Sequence, residues 1–130
     1  MASAESARSG DASRLVLVVD DDPDVRRILT DLLGDEGYDV VTASDGQVAL
    51  ERARERPPAV ILLDYQMPRC DGPRFAAAYR QLPAPHAPIV LLTAAASARQ
   101  RAAEIGADAF IGKPFDLRTL YEVVERYAAA

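Results

Sequence analysis

Val60-Ile61-Leu62-Leu63-Asp64-Tyr65-Gln66-Met67-Pro68 decides the reading of this chain. Its aliphatic run has no polar break until it meets a carboxylate, and Pro68, Asp71 and Gly72 then mark a turn. An apolar run of this length between turn signals is the pattern of a strand buried on both faces, as in a parallel sheet. In open α/β sheets, ligands bind just outside the carboxyl ends of the strands. Asp64 is therefore an acid that a rigid element presents at the edge where function concentrates.

Similar runs lie on either side. Leu15-Val16-Leu17-Val18-Val19 predicts a first strand, which ends in Asp20-Asp21-Asp22. Pro23 suits the first position of a helix capped by Asp22. Val25, Ile28, Leu29, Leu32 and Leu33 follow at helical spacing along one face, and Gly37 supplies the left-handed stop. A short strand over 38–42 comes next. Ser44 and Gln47 then form a capping box for a second helix with Ala49, Leu50 and Ala53 inward. Arg56-Pro57-Pro58 ends it, before the central strand.

Beyond Asp64, Asp71-Gly72-Pro73 starts a third helix with Phe75, Ala78 and Tyr79 as inward candidates. Ile89-Val90-Leu91-Leu92-Thr93 is a fourth strand, ending in a hydroxyl. Ser97 and Gln100 form a second capping box, for a helix that closes near Gly106. Ala109-Phe110-Ile111 is a fifth strand, followed by Gly112-Lys113-Pro114. A last helix carries Leu117, Leu120, Tyr121, Val124 and Tyr127 on one face. Apolar strands alternating with amphipathic helices argue for parallel βαβ units with right-handed crossovers. Residues 14–130 read as one domain. Residues 1–13 hold too little apolar content to order themselves and read as a disordered tail.

Composition bounds the partners. The chain has 130 residues, a hydrophobic fraction of 49% and a net charge of −5, with a pI near 4.8. That acidity argues against direct nucleic-acid binding, which needs a basic face. The one cysteine, Cys70, allows no internal disulfide and fits a reducing compartment. No apolar stretch approaches the roughly twenty residues of a membrane span, and the N-terminus lacks the apolar region of a secretion signal. The expectation is a cytoplasmic protein with no membrane contact.

Parallel strands bring four strand ends to one edge: Asp20 and Asp21, Asp64, Thr93 and, just past the fifth strand, Lys113. Three carboxylates together cannot all stay ionised without a partner. Oxygen-only ligands suit Mg²⁺. A lysine and a hydroxyl beside such a metal clamp phosphoryl oxygens, and a carboxylate there can itself become an aspartyl phosphate.

These residues carry a family resemblance. Asp20-Asp21 after an apolar strand, Asp64 before Met67-Pro68 and Asp71-Gly72, Leu92-Thr93-Ala94 and Lys113-Pro114-Phe115, in this order and spacing, resemble the receiver domain of two-component response regulators. The resemblance covers residues 14 to about 128. It implies a flavodoxin-like (βα)5 fold with a five-stranded parallel sheet in the order 2-1-3-4-5. It implies that Asp64 accepts a phosphoryl group from a sensor histidine kinase or a histidine phosphotransfer protein. Mg²⁺, for which Mn²⁺ can substitute, would be held by Asp21, by Asp20 through water, by Asp64 and by the backbone carbonyl of Gln66. Thr93 would hydrogen-bond the phosphoryl group, and Lys113, before a cis Pro114, would pair with it. Thr93 and Phe110 would act as the switch that remodels the 97–127 face for a protein partner, as a monomer or as a phosphorylation-dependent dimer. Such a domain is no enzyme beyond assisting its own phosphorylation and dephosphorylation. Relatives often carry Tyr where this chain has Phe110. Ala95, two residues past Thr93, offers nothing to orient an attacking water, which implies a longer-lived phosphoryl group.

Each residue also has a plainer role. Asp22, Asp24 and Asp71 fit helix caps or turns. Phe110 fits core packing as well as it fits a switch. His86 and Cys70 read as loop residues, Tyr121 and Tyr127 as part of the buried stripe, and Arg99, Arg101, Arg118 and Arg126 mostly as solvated surface. The competing function is a small Mg²⁺-dependent phosphatase of the haloacid dehalogenase type, with Asp20 as nucleophile and Asp22 as general acid. Asp24 stands where that motif wants Thr or Val, and no acidic pair follows Lys113. A flavin-nucleotide-binding module of the same fold class needs a hydroxyl- and glycine-rich loop where Asp20-Asp21-Asp22 would repel phosphate.

Overall fold

Why five short runs suffice for a core is clear from the sheet they build. In the computed structural model, which describes residues 14–67 and 70–128, five strands pair in parallel in the order β2-β1-β3-β4-β5. The strands are β1 (Leu15–Val19), β2 (Asp39–Ala43), β3 (Val60–Asp64), β4 (Ile89–Ala94) and β5 (Ala109–Lys113). The helices are α1 (Pro23–Asp35), α2 (Gly46–Glu55), α3 (Gly72–Tyr79), α4 (Ala98–Ile105) and α5 (Leu117–Ala128), with a short 3₁₀ turn over Ala95–Ser97 ahead of α4. The expected tail over 1–13, and Pro68 of the opening stretch, lie outside the described residues.

Alternation along the strands divides the core into two layers. Leu17, Val19, Ile61, Leu63, Ile89 and Leu91 face α2, α3 and α4. Val16, Val18, Val60, Leu62, Val90 and Leu92 face α1 and α5. Covering both faces is what makes the central strands apolar at every position. β3 is the extreme case, with Val60, Ile61, Leu62 and Leu63 all fully buried. The chain runs from β1 to the β2 edge and then returns past β1 to β3. The loops that leave β1 and β3 therefore diverge to opposite faces, and a crevice opens between those two strand ends.

Local signals decide where most helices begin and end. The Asp22 carboxylate accepts from the Asp24 amide at 2.9 Å, with Pro23 in the first turn. Asp71 caps α3 by accepting from the Arg74 amide at 3.0 Å. Asp116 does the same for Thr119 at 2.8 Å, at the start of α5. Gly37 and Gly106 take positive φ values of 91° and 66° where α1 and α4 end.

Two expected caps are corrected. α2 is capped by Asp45, not Ser44: its carboxylate accepts from the Gln47 and Val48 amides at 2.9 and 3.0 Å. α4 has no side-chain cap at Ser97, because the 3₁₀ turn leads directly into the helix. Three inward expectations also shift. Ile28 and Leu117 are 52% and 45% exposed, because each helix presents a narrower stripe to the sheet than its apolar residues span. In α3 it is Ala76 that is fully buried, while Ala78 is half-buried. Phe110 is 38% exposed and lies outside both core layers, so its plain-core role does not hold in this conformation.

Candidate functional site at the strand ends

The crevice between β1 and β3 is lined with acid. Asp20 follows β1, and its amide prolongs the ladder by donating to the Ala43 carbonyl at 3.1 Å. This keeps Asp20 rigid and almost wholly buried, at 1% exposure. Its Oδ1 accepts from the Asp22 amide at 2.9 Å, and its backbone carbonyl accepts from Arg26 Nη1 at 2.7 Å. The sharp turn into α1 is thus tied from both sides, and Asp21 is left exposed at the mouth. Asp64 is the last residue of β3 and is half-buried. One carboxylate oxygen from each of Asp20, Asp21 and Asp64 lies within 4.8 Å of the others.

The loop after Asp64 is shaped by a glycine that cannot be replaced freely. The Gly72 amide donates to the Tyr65 carbonyl at 2.9 Å. A Cβ on Gly72 would stand 2.8 Å from the Asp64 carbonyl and 2.9 Å from the Tyr65 carbonyl. Close approach of backbone to backbone, rather than an unusual φ, is what requires glycine here. On the other side of the loop, the Gly46 amide donates to the Cys70 carbonyl at 2.9 Å, which locks the start of α2 against it.

Lys113 is the last residue of β5 and pairs in register with Ala94. Its Nζ lies 3.3 Å from Asp20 Oδ2 and 3.3 Å from Asp64 Oδ1, so one ammonium is shared between two acids. The Lys113–Pro114 bond is cis. Burial works against the lysine's charge, but Asp64 and Asp20 outweigh it and raise its pKa. Asp64 shows the opposite balance. Burial first, then repulsion from Asp20, push its pKa up to about 6, and Lys113 offsets only part of this. Three carboxylates against one ammonium leave a deficit of positive charge in an all-oxygen setting. A hard divalent cation such as Mg²⁺ fits that donor set.

Thr93 sits near the end of β4, opposite Gly112 of β5 and one step past Leu92, the register partner of Asp64. It is buried, and its Oγ1 accepts a 2.7 Å hydrogen bond from Arg101 Nη1. Gln66 is exposed, two residues beyond Asp64. Phe110, on β5 three residues before Lys113, is partly exposed, with the Arg99 guanidinium 5.8 Å from its ring centroid.

Two arginines at the site differ from the sequence reading: Arg26 was not singled out, and Arg101, read as mostly solvated surface, is half-buried and bonded to Thr93. Arg26 and Arg101 carry no local signal, because each contacts its target through the fold. The spacing of Arg26 along α1 could have placed it on the face next to Asp20. Nothing in the sequence alone points Arg101 at Thr93.

Comparison with known proteins agrees with this geometry. Residues 16–125 match the response regulator receiver domain. A probable transcriptional regulator, ycf27, of Porphyridium aerugineum is 38% identical over 107 residues, which is 81% of this chain and 44% of that protein. The sensor histidine kinase RcsC of Escherichia coli strain K12 is 38% identical over 128 residues, 97% of this chain but 13% of that protein. The chain thus spans less than half the length of these curated relatives. Among solved structures, chemotaxis protein CheY4 of Vibrio cholerae superposes with a TM-score of 0.73 at 33% identity, covering 87% of this chain and 97% of that one. The receiver domain of sensor histidine kinase PA1611 of Pseudomonas aeruginosa, solved with a magnesium ion in its active-site cleft, gives a TM-score of 0.78 at 26% identity, covering 90% and 98%. With an acidic crevice at the expected switch point and a matching profile over most of its length, the chain belongs to the response regulator receiver domain family.

Proposed function

We propose that Asp64 accepts a phosphoryl group from a phosphohistidine on a sensor kinase or a histidine phosphotransfer protein, and that this event switches the binding of a protein partner. The observation that carries this reading is the set of three carboxylates, Asp20, Asp21 and Asp64, within 4.8 Å of one another, two of which, Asp20 and Asp64, share the Lys113 ammonium. Asp20, Asp21, Asp64 and the Gln66 carbonyl would hold Mg²⁺ or Mn²⁺. The ion supplies charge neutralisation at the phosphoryl oxygens.

The remaining work falls to side chains. An Asp64 oxygen forms the new bond to phosphorus as the nitrogen–phosphorus bond of the donor breaks, and the imidazole leaves with its electron pair. Lys113, already 3.3 Å from Asp64, moves its charge onto the phosphoryl group as the carboxylate gives up its own. Thr93 donates a hydrogen bond from its hydroxyl to a phosphoryl oxygen. Drawing Thr93 inward vacates space beside β5, and the half-exposed Phe110 ring can turn into it. The 97–127 surface is thereby presented in one of two forms, a two-state element biased by a local charge. The domain works in the cytoplasm, as a monomer or as a dimer that forms on phosphorylation. Ala95 leaves no side chain to orient water against the phosphoryl group, which favours a long lifetime.

The phosphatase alternative has less support. It needs Asp20 as an open nucleophile and Asp22 as general acid. Asp20 is 1% exposed and already bonded to Lys113, and the Asp22 carboxylate is occupied in capping α1.

The test is phosphorylation with acetyl phosphate and Mg²⁺, followed by intact-mass measurement. Wild type is expected to gain one phosphoryl group and Asp64→Asn none. Gain in both, or in neither, refutes the assignment. Sustained turnover of p-nitrophenyl phosphate would favour the phosphatase.

A further inference from the structure

Thr93 does not wait unpartnered at its strand end. Arg101, on the first turns of α4, donates to Thr93 Oγ1 at 2.7 Å. The same guanidinium lies over the ring of Tyr65, 4.4 Å from its centroid. Tyr65 directly follows Asp64, and its hydroxyl donates to Glu104 Oε1 at 2.6 Å. Glu104 is three residues past Arg101, on the same side of the helix. One arginine therefore spans from the residue beside the acid to the buried hydroxyl, and the ring beneath it is anchored in turn by a carboxylate of its own helix.

The direction of the hydrogen bond matters. A guanidinium has donors only, so it must occupy a lone pair of the Thr93 oxygen. The hydroxyl proton is then left for another acceptor. A bond from a charged donor also polarises the O–H group and makes it a better donor in turn. Asp64, whose register partner Leu92 directly precedes Thr93, or the phosphoryl group it would carry, is the anionic acceptor that this edge offers such a proton. The contact with the Tyr65 ring ties the guanidinium to the segment that directly follows Asp64.

We propose that Arg101 is a positioning residue for Thr93: braced on Tyr65, it holds the threonine hydroxyl with its proton directed at the phosphoryl group on Asp64. This rests on the reading of Asp64 as phosphoacceptor. It assigns a role to α4 before any switching occurs, and it makes the Tyr65–Arg101–Glu104 cluster part of the phosphorylation machinery rather than a solvated surface.

The experiment measures the rate of phosphoryl uptake by the full chain from acetyl phosphate and Mg²⁺. Four forms are compared: wild type, Arg101→Met, Thr93→Ala and the double variant, with Asp64→Asn as control. Arg101→Met keeps an apolar arm on the Tyr65 ring and removes the donor. It is expected to slow uptake about fivefold, the size of one ordinary hydrogen bond, because the arginine acts on the phosphoryl group only through Thr93. In the Thr93→Ala background the same change is expected to have almost no effect, because an arginine acting through Thr93 has nothing left to act on. Arg101→Lys, which keeps one charged donor, is expected to recover part of the rate. If Arg101→Met does not fold, Arg101→Gln makes the same comparison. An unchanged rate in Arg101→Met, or an equal loss with and without Thr93, overturns the positioning role while leaving Asp64 as acceptor. Uptake by Asp64→Asn equal to that of wild type would sink the phosphoacceptor reading, and the positioning role with it.

Discussion

Asp64→Asn should make the metal-free protein more stable at neutral pH, although it removes half of the Lys113 ion pairing. The side chain of Asp64 is only 14% exposed, and it faces Asp20 and Asp21 across the crevice. Its pKa rises from 3.8 in a free chain to about 6 in the fold. Folding therefore favours the protonated form. The ionised form weakens the fold by at most roughly 3 kcal/mol, and water at the open mouth lowers this to about 1–2 kcal/mol. Asparagine imitates the protonated carboxyl, so the variant should gain that amount, or about 5 °C in Tm for a chain of this size.

The pH dependence fixes the sign. Above pH 6 the wild-type carboxylate is charged whether the chain is folded or not, and the full penalty applies. Between 6 and 3.8 the folded protein takes up a proton before the unfolded chain does, and the penalty fades. Below 3.8 both states are protonated, and the two proteins should melt alike. The assay is urea or thermal unfolding of both proteins in chelator from pH 4 to pH 8. Adding Mg²⁺ at pH 7 should then stabilise wild type and narrow the gap, because an ion held by the clustered acids would have no such site in the unfolded chain. A variant no more stable than wild type at pH 7, or a gain that does not shrink on acidification, would falsify the claim that the site stores electrostatic repulsion.

Lys113→Met leaves Asp20 and Asp64 with no shared cation. With the lysine one-third exposed, this is expected to cost about 1–2 kcal/mol at pH 7 in urea unfolding, and less at pH 5 as Asp64 protonates. Gly72→Ala drives a methyl into the Asp64 and Tyr65 carbonyls and should destabilise by about 2 kcal/mol, with a matching loss of phosphoryl uptake even though no site side chain changes. Asp45→Ala should cost about 1–2 kcal/mol through the lost cap of α2, whereas Ser44→Ala should stay within about 0.5 kcal/mol.

Those last two variants mark where the sequence reading stopped. The Ser44–Gln47 spacing has the form of a capping box, yet Asp45 lies one residue on and its carboxylate reaches two free amides. Neighbouring cap candidates differ in backbone direction, which is not written locally. The same limit explains Ile28 and Leu117. Helical spacing places them beside the buried stripe, but how far that stripe extends depends on the curvature of the sheet beneath. Phe110 was open between core and switch because a strand near a sheet edge can point a ring either way. Packing turned it outward.

What the sequence by itself determined is the sheet and its acids. Strands buried on both faces must be apolar at every position, so β1, β3 and β4 are legible without coordinates, and so are the carboxylates and the hydroxyl where they stop. Parallel pairing then requires those ends to share an edge. Only the tertiary structure decided how the ends are wired. Lys113 meets Asp20 across 93 residues of chain and divides its charge with Asp64, and Arg101 turns from solvent onto Thr93 and Tyr65. Burial pattern is a property of each segment and is written locally. Charge sharing depends on distances of a few ångströms between segments far apart in sequence, and these distances exist only once the sheet has closed.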